Sequence, residues 1–408
     1  MQIDLLNKFK NRAMNPKIIC ILTTNHSPLD SRIFYKEALS LKNNGYIPVI
    51  ITASGKMNMV FHGVKILGIR HGLISNIFKK FTFVDWISVF RLSLFAIRVN
   101  CMVYHAHELE ALITAWICKV AKNCFRKPVK IVYDVHEWYP ELSYYGVKEL
   151  FRFKFLRMID KLFSRSADLL IATEDEKARR YEEYREKRDV LILGHFPPLD
   201  LFSLFPSSKP SLNSLKQKPF VVGYVGGLTL DRGVLTILEV VYLAKRKSQK
   251  KIKVLYVGSF SMQKHRDITL DYAKNKSIDL EITGWLPYEK IPEQIARMDV
   301  CMALLHPKPY YVNAIPIKLF EYMASGKPII ASDLKNIRSI LEESQSGVVA
   351  DPFNTHQLAD ILLNLMDDKE KQIRMGQSGR QYIEEGHNWL ILEKKLVDNY
   401  NKICSKMS

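Results

Sequence analysis

Short, nearly continuous apolar runs recur along the chain, each closed by a polar loop and followed by residues with helical spacing. The first, Lys17-Ile-Ile-Cys-Ile-Leu-Thr-Thr24, reads as a parallel strand buried on both faces. A polar loop follows it, then a helix through Ile33 to Asn43, a stop at Gly45 and a second strand over 47–52. Further apolar runs at 64–69, 102–106, 130–134 and 168–173, with helical spacers between them, continue the alternation. Residues 196–219 interrupt it with prolines, serines and lysines, the texture of a linker. Phe220-Val-Val-Gly-Tyr-Val-Gly-Gly227 opens a second series, with later strands at 253–257, 280–283, 300–305, 328–331 and 347–349. From Trp389 the chain is amphipathic and helical. The pattern predicts an α/β fold of two doubly wound domains facing a cleft. The expected layout is a tail (1–14), a first domain (15–195), a linker (196–219), a second domain (220–385) and a closing helix (386–408).

The length of 408 residues favours two domains, and 47% hydrophobic with 25% charged residues is an ordinary globular balance. The six cysteines lack metal-ligand spacing and read as reduced thiols of a cytoplasmic protein. Neither a cleavable leader nor a run of about 18 uncharged apolar residues is legible, so a membrane span is not expected. Charge changes the picture more: a formal +18 calls for an anionic partner. No nucleic-acid-binding module is legible, so nucleic acid is not expected. Residues 78–98 and 116–127 instead mix aromatic and aliphatic side chains with Lys and Arg, which suits an anionic membrane surface.

Candidate chemistry concentrates in Asn313-Ala-Ile-Pro-Ile-Lys-Leu-Phe-Glu-Tyr-Met-Ala-Ser-Gly326, a polar loop, a helix begun by Pro316 and a stop at Gly326. Glu321 lies in that helix among Leu319, Phe320, Met323 and Ala324, where a carboxylate needs a partner. Two vicinal sugar hydroxyls would serve, and so would Lys318 three residues earlier. In Gly223-Tyr-Val-Gly-Gly-Leu-Thr-Leu-Asp-Arg-Gly233, a strand runs through Gly226 and Gly227 into a helix from Gly233. Such glycines let a backbone approach phosphate, and Arg232 would offset the charge of a departing diphosphate. Ser259, after another strand-end glycine, is placed to line the same pocket.

In the first half, His105-Ala-His107-Glu108 and Asp134-Val-His136-Glu137 both close apolar strands. Open α/β sheets present their site loops at such strand ends. His136 would meet a sugar hydroxyl, oriented by Asp134 or Glu137, and His107 lies in the same region. A zinc site of His105, His107 and His136 is not expected, because sugar hydroxyls account for the neighbouring carboxylates. Asp30 and Arg32, in the loop and helix after the first strand, are candidate substrate contacts, with helix capping as the alternative for Asp30.

Together these blocks resemble the retaining, nucleotide-sugar-dependent glycosyltransferases of family four, a large bacterial family that builds lipopolysaccharide, capsule and other surface glycans. The resemblance runs over about residues 17–385 and is strongest at Asn313 to Asp333. It implies the glycosyltransferase B fold of two Rossmann-like domains, the donor held by the second and the acceptor by the first, with the closing helix packing back on the first domain. It also implies that Glu321 binds the donor ribose, that Arg232 contacts the diphosphate and that His136 lies near the transferred sugar. Gly226, Gly227, Ser259, Asn313, Ile315, Pro316 and Lys318 would line the donor pocket, and Asp30, Arg32, His107, Asp134 and Glu137 the acceptor side. No metal or other cofactor is implied; a UDP- or GDP-sugar is the substrate, and a glycan or lipid-linked glycan the acceptor. The expected location is the inner face of the cytoplasmic membrane, as a peripheral protein. Two positions depart from the family pattern: Asn313 stands where an acid usually does, and Gly227 where a second base is common. The rival expectations are an epimerase or hydrolase of similar form, and a non-catalytic scaffold.

Overall fold

The computed structural model describes residues 17–55, 57–69, 84–135, 147–184, 190–203, 218–248 and 250–405. It divides into two compact units, Met1–His195 with Leu392–Ser408, and Phe196–Ile391. His136 and Glu137, the N-terminal tail and most of the expected linker lie outside the described residues.

The first unit is built on an eight-stranded sheet in the order β3-β4-β2-β1-β5-β6-β7-β8. Its strands are β1 (Ile18–Thr23), β2 (Ile47–Thr52), β3 (Asn58–Phe61), β4 (Val64–Gly68), β5 (Val103–His107), β6 (Lys130–Val135), β7 (Leu169–Ala172) and β8 (Leu191–Ile192). β1 is buried at every residue, as its unbroken apolar run requires, and pairs in parallel with β2 and β5. Among the described strand pairs of this sheet, the β3–β4 pair alone is antiparallel. Its two-residue turn, His62-Gly63, has φ of 44° and 75°, the left-handed pair that matches hairpin twist. β3 is absent from the sequence expectation, since Asn58-Met-Val-Phe61 is too short and half-exposed to carry an apolar signal.

Three helices of this unit matter below: α2 (Trp86–Ala96), α3 (Leu109–Cys124) and α4 (Val147–Ser164). Before them α1 (Ser31–Ala38) is a π-helix, capped by Asp30, whose Oδ1 accepts from the amides of Arg32 and Ile33 at 2.8 and 3.3 Å. Leu112, Ala115 and Cys118 of α3 join Val89 and Leu92 of α2 in one apolar core with β1, β5 and β6.

The second unit carries a wholly parallel six-stranded sheet in the order β11-β10-β9-β12-β13-β14. The strands are β9 (Phe220–Val225), β10 (Ile252–Val257), β11 (Asp279–Ile282), β12 (Val300–Ala303), β13 (Ile329–Ser332) and β14 (Gly347–Ala350). Helix α5 (Val234–Lys247) follows β9, and α6 (Ile317–Ala324) lies between β12 and β13. The last helix, α7 (Trp389–Ser405), begins in the second unit and continues in the first. There Tyr400, fully buried, meets His105 Nδ1 with its hydroxyl at 2.7 Å.

Each sheet reverses its strand order beside its first strand: between β1 and β5, and between β9 and β12. The loops at the carboxyl ends of those pairs are where open α/β sheets receive ligands.

Candidate functional site

In the second unit the loop leaving β9 and the loop-plus-helix after β12 meet at the strand-order reversal. Val225 N donates to Tyr322 Oη at 2.8 Å, fixing the end of β9 to α6. The chain then turns through Gly226, at φ +125°, and Gly227, whose carbonyl accepts from Tyr224 Oη at 3.0 Å. Gly226 N donates to Val257 O, and Leu228 N to Ser259 O, both at 2.9 Å. The turn is thereby held from both sides while its glycine faces stay unoccupied by side chains of their own.

Two cations fill that space. A Cβ on Gly226 would lie 3.1 Å from Lys318 Nζ, and one on Gly227 would lie 2.9 Å from Arg232 Nη1. Lys318 Nζ also sits 3.7 Å above the Tyr224 ring, a cation–π contact. Arg232 Nε donates to Tyr311 Oη at 3.0 Å. Gly233, at φ +81°, ends the short turn that carries Arg232 and opens α5. Its missing Cβ matters, because an added one would come 2.1 Å from Leu304 O.

The electrostatics of this cradle are strained toward an anion. Burial, then the Arg232 charge, pulls the Lys318 ammonium well below its ordinary pKa, with Glu321 acting the other way. Burial also disfavours the Arg232 cation, yet the Tyr311 hydrogen bond and the neighbouring tyrosines and Asp231 hold it above its usual value. Two cations converging on one glycine turn repel each other, and a dianionic group between them would relieve the repulsion. Glu321, one turn after Lys318 on α6, is 6% exposed.

The other donor-side residues lie on the same frame. Pro316 caps α6, Ile315 is partly exposed just before it, and Asn313 is exposed, its carbonyl accepting from Asn336 Nδ2 at 2.8 Å. Ser259 is exposed and reaches the turn through its backbone carbonyl. Tyr224, Tyr311 and Tyr322, which fix the cradle, were not singled out by sequence reasoning. Their signal is faint, since aromatic residues in apolar runs read as core.

The first unit holds a buried charged cluster beneath its own strand ends. Arg32 Nε and Nη2 donate to Asp134 Oδ2 and Oδ1 at 2.6 and 3.0 Å, and Nη1 donates to Leu193 O at 2.9 Å. The same Nε lies 3.1 Å from Glu37 Oε1. In an α-helix, residues five apart are about 140° around the axis from each other. The π-helical turn of α1 brings Arg32 and Glu37 to one side instead. Glu37 Oε2 is 3.3 Å from His105 Nε2 and 3.5 Å from His107 Nε2, and His107 Nδ1 is 3.5 Å from Asp134 Oδ2. Burial, then the Asp134 charge, raises the Glu37 carboxyl well above its ordinary pKa, against the pull of Arg32.

Arg32, His107 and Asp134 are all buried, so in this structure they organise strand ends and do not present themselves to a glycan. Asp30 likewise spends its carboxylate on capping α1. Glu37, His105, His107 and Asp134 each offer a donor atom within 4.8 Å of one another, a set able to hold a metal by ligand type. The set differs from the His105–His107–His136 trio weighed from sequence, and Arg32 already engages both of its carboxylates.

Above that cluster, Glu108 has φ 72° and ψ 166°, a conformation suited to glycine. Its carboxylate accepts from Thr24 N and Thr24 Oγ1 at 2.9 Å each, and from His26 N and Thr23 Oγ1 at 3.2 Å each. His26 Nε2 lies 3.2 Å from the same carboxylate. Glu108 thus ties the loop after β1 to the end of β5, across the strand-order reversal. Sequence reasoning quoted this residue without giving it a role, because strain and hydrogen bonds leave no mark in a pattern.

Comparison with known proteins bears on the fold and on the segment that carries the cradle. Residues 208–382 match the family model "Glycosyl transferases group 1", which includes the whole cradle. Alpha-D-kanosaminyltransferase of Streptomyces kanamyceticus is 24% identical over 164 residues, 40% of this chain and 40% of that protein. This chain thus spans well under two thirds of that curated relative. Among solved structures, sucrose-phosphate synthase of Thermosynechococcus elongatus superimposes with a TM-score of 0.72 at 16% identity, covering 96% of this chain and 100% of that one. Anabaena HepE in complex with UDP-glucose gives 0.69 at 14% identity, covering 94% and 99%. The chain has the glycosyltransferase B fold of two Rossmann-like domains, and its second unit carries the segment that matches group 1 glycosyl transferases.

Proposed function

We propose that this protein is a retaining glycosyltransferase that moves a sugar from a UDP- or GDP-sugar to a glycan or lipid-linked glycan during surface polysaccharide synthesis. The observation that carries the reading is the pair of cations, Arg232 and Lys318, converging on the Gly226–Gly227 turn at the strand-order reversal. Diphosphate is the ligand whose charge and size such a pair answers. Glu321 receives the ribose hydroxyls, and Asn313, Ile315, Pro316 and Ser259 complete the donor pocket.

In this reading the bond between the anomeric carbon and the diphosphate oxygen breaks as an acceptor hydroxyl attacks from the same face. The hydroxyl proton passes to the leaving phosphate, whose growing charge Arg232 and Lys318 stabilise. His136 contacts the transferred sugar. The loop that Glu108 holds forms the acceptor side of the first unit, with Asp30 beside it and Glu137 as a further acceptor contact by sequence position. The relatives' names support a sugar donor of this kind: one solved relative is bound to UDP-glucose, and another curated relative is a GDP-mannose-dependent mannosyltransferase. The protein works as a peripheral protein at an anionic leaflet, in keeping with its formal +18.

The test is turnover with UDP-, GDP-, ADP- and CMP-sugars, without added metal, in the presence and absence of bacterial lipid-linked acceptor extract. Acceptor-dependent transfer with retained anomeric configuration is expected. Release of sugar to water alone points to a hydrolase, and donor binding without any turnover to a scaffold. Failure to bind any nucleotide-sugar removes the assignment.

A further inference from the structure

Helices α2, α3 and α4 form one layer on the first unit. Thr114 Oγ1 of α3 donates to Val89 O of α2 at 3.5 Å, and the Trp116 ring of α3 meets Phe163 of α4 edge-on at 5.2 Å. Each helix buries one face against the sheet and leaves an apolar stripe outside at a spacing of four residues. On α2 the stripe is Trp86, Phe90 and Leu94, with Phe90 64% exposed. On α3 it is Trp116 and Val120; on α4 it is Met158 and Leu162, 60% and 63% exposed. Exposed large side chains scattered singly are ordinary, but three aligned stripes on one packed layer are not.

The exposed charged side chains described on these helices are cations, and Asp168 beside them is engaged by Lys119 and Lys130 at 2.8 and 3.0 Å. Arg91, Arg98, Lys154, Arg157, Lys161 and Arg165 are exposed on or beside these helices. Among the described side chains of the three helices the acids, Glu110 and Asp160, are buried. A protein partner of ordinary composition would meet exposed cations, Arg98, Lys154, Arg157 and Lys161 among them, beside the apolar stripes. A leaflet containing anionic phospholipid answers both features, with acyl-chain boundary for the stripes and phosphate headgroups for the cations.

We propose that the α2–α3–α4 layer is the face by which this protein docks on an anionic phospholipid leaflet. The inference rests on the membrane part of the reading above and assigns it a surface; it is independent of the transfer chemistry. The stripe residues enter the headgroup boundary while the guanidinium and ammonium groups remain at phosphate level.

The test uses the full chain and vesicles of phosphatidylcholine, with or without phosphatidylglycerol, read by flotation. Binding to the phosphatidylglycerol vesicles, weakened by added salt, is expected. Combined Phe90→Ser, Leu94→Ser, Met158→Ser and Leu162→Ser should weaken it by about tenfold or more. The melting curve should not move, since these side chains are exposed. Met262→Ser with Phe353→Ser, exposed in the second unit, should bind as the unchanged protein does. If the unchanged protein binds and the stripe variant binds equally well, the face is wrong while membrane docking stands. If the unchanged protein ignores phosphatidylglycerol vesicles, both fall. Loss of a dimer by light scattering in the stripe variant, without vesicle binding by the parent, would reassign the layer to self-association.

Discussion

At the scale of single residues, function and stability rest on groups held against their ordinary preferences. Arg232 is fixed by Tyr311 beside a bare glycine turn, so Arg232→Ala should remove charge stabilisation without disturbing packing. Turnover should fall by about 10²-fold or more, with little change in melting temperature; wild-type turnover would take Arg232 out of the mechanism. Glu108 combines strain with a clamp, and the two can be separated. Glu108→Ala loses both the carboxylate and any relief, whereas Glu108→Gly loses the carboxylate but fits φ 72°. Urea unfolding should find the glycine variant more stable than the alanine one by about 1 kcal/mol, and both below the parent. Asp160 is a third case. Burial lifts its carboxyl to about 6, although the Tyr181 and Tyr133 hydroxyls donate to it and pull the other way. The unfolded chain then loses this proton first as pH rises, so the contribution of Asp160 to stability declines between about pH 4 and pH 6. Stability of the parent relative to Asp160→Asn should fall by about 2–3 kcal/mol across that window and be flat above it. A difference that does not change with pH would contradict the raised carboxyl.

At the scale of elements, the cradle depends on two glycines at which an added side chain has different costs. At Gly227 an added Cβ meets the far end of the flexible Arg232 side chain at 2.9 Å, which can move aside. At Gly233 it meets the Leu304 backbone oxygen at 2.1 Å, with φ at +81°, and neither can yield cheaply. Gly227→Ala should therefore fold normally and use donor poorly, while Gly233→Ala should lose several kcal/mol of stability, at least about 3. Thermal melts beside donor kinetics separate the two; equal melting temperatures would mean that the backbone contact relaxes. The π-helical α1 makes the same point from the other side. Its capping residue was legible in Asp30-Ser31, yet its winding was not. The Arg32–Glu37 pairing that the winding creates has no counterpart in the sequence reading, which offered Arg32 as a substrate contact and did not single out Glu37.

At the scale of the whole molecule, the first unit is completed by the last residues of the chain. Leu396 and Tyr400 of α7 are fully buried, Tyr46 Oη donates to Asn401 Oδ1 at 2.7 Å, and the Tyr400 hydroxyl meets His105 beside the charged cluster. Removing residues 392–408 would uncover that cluster to water and strip apolar contacts from the unit. Calorimetry should then show a transition for the first unit lowered by many degrees or lost, with the transition of the second unit in place. A single unchanged transition would mean that α7 contributes little.

The alternation of apolar runs determined the two α/β series, nearly every strand of both sheets and the loops that form the candidate site. Strands buried on both faces must be continuously apolar, and the turns that end them need glycine, proline or caps. The same reading marked Arg232, Lys318 and Glu321, because charges beside glycine turns and within apolar helices are conspicuous in one dimension. Tertiary structure alone decided how those charges converge. It aimed Lys318 over Tyr224, set Arg232 against Gly227, and buried Glu37 among His105, His107 and Asp134 from three separate segments. It also gave Glu108 its strained backbone and aligned the stripes of three helices into one face. The physical reason is common to all of these. Local sequence fixes which residues can form an element and which faces are apolar, whereas distance-dependent interactions, ion pairing, desolvation and strain, exist only once separate segments are packed together.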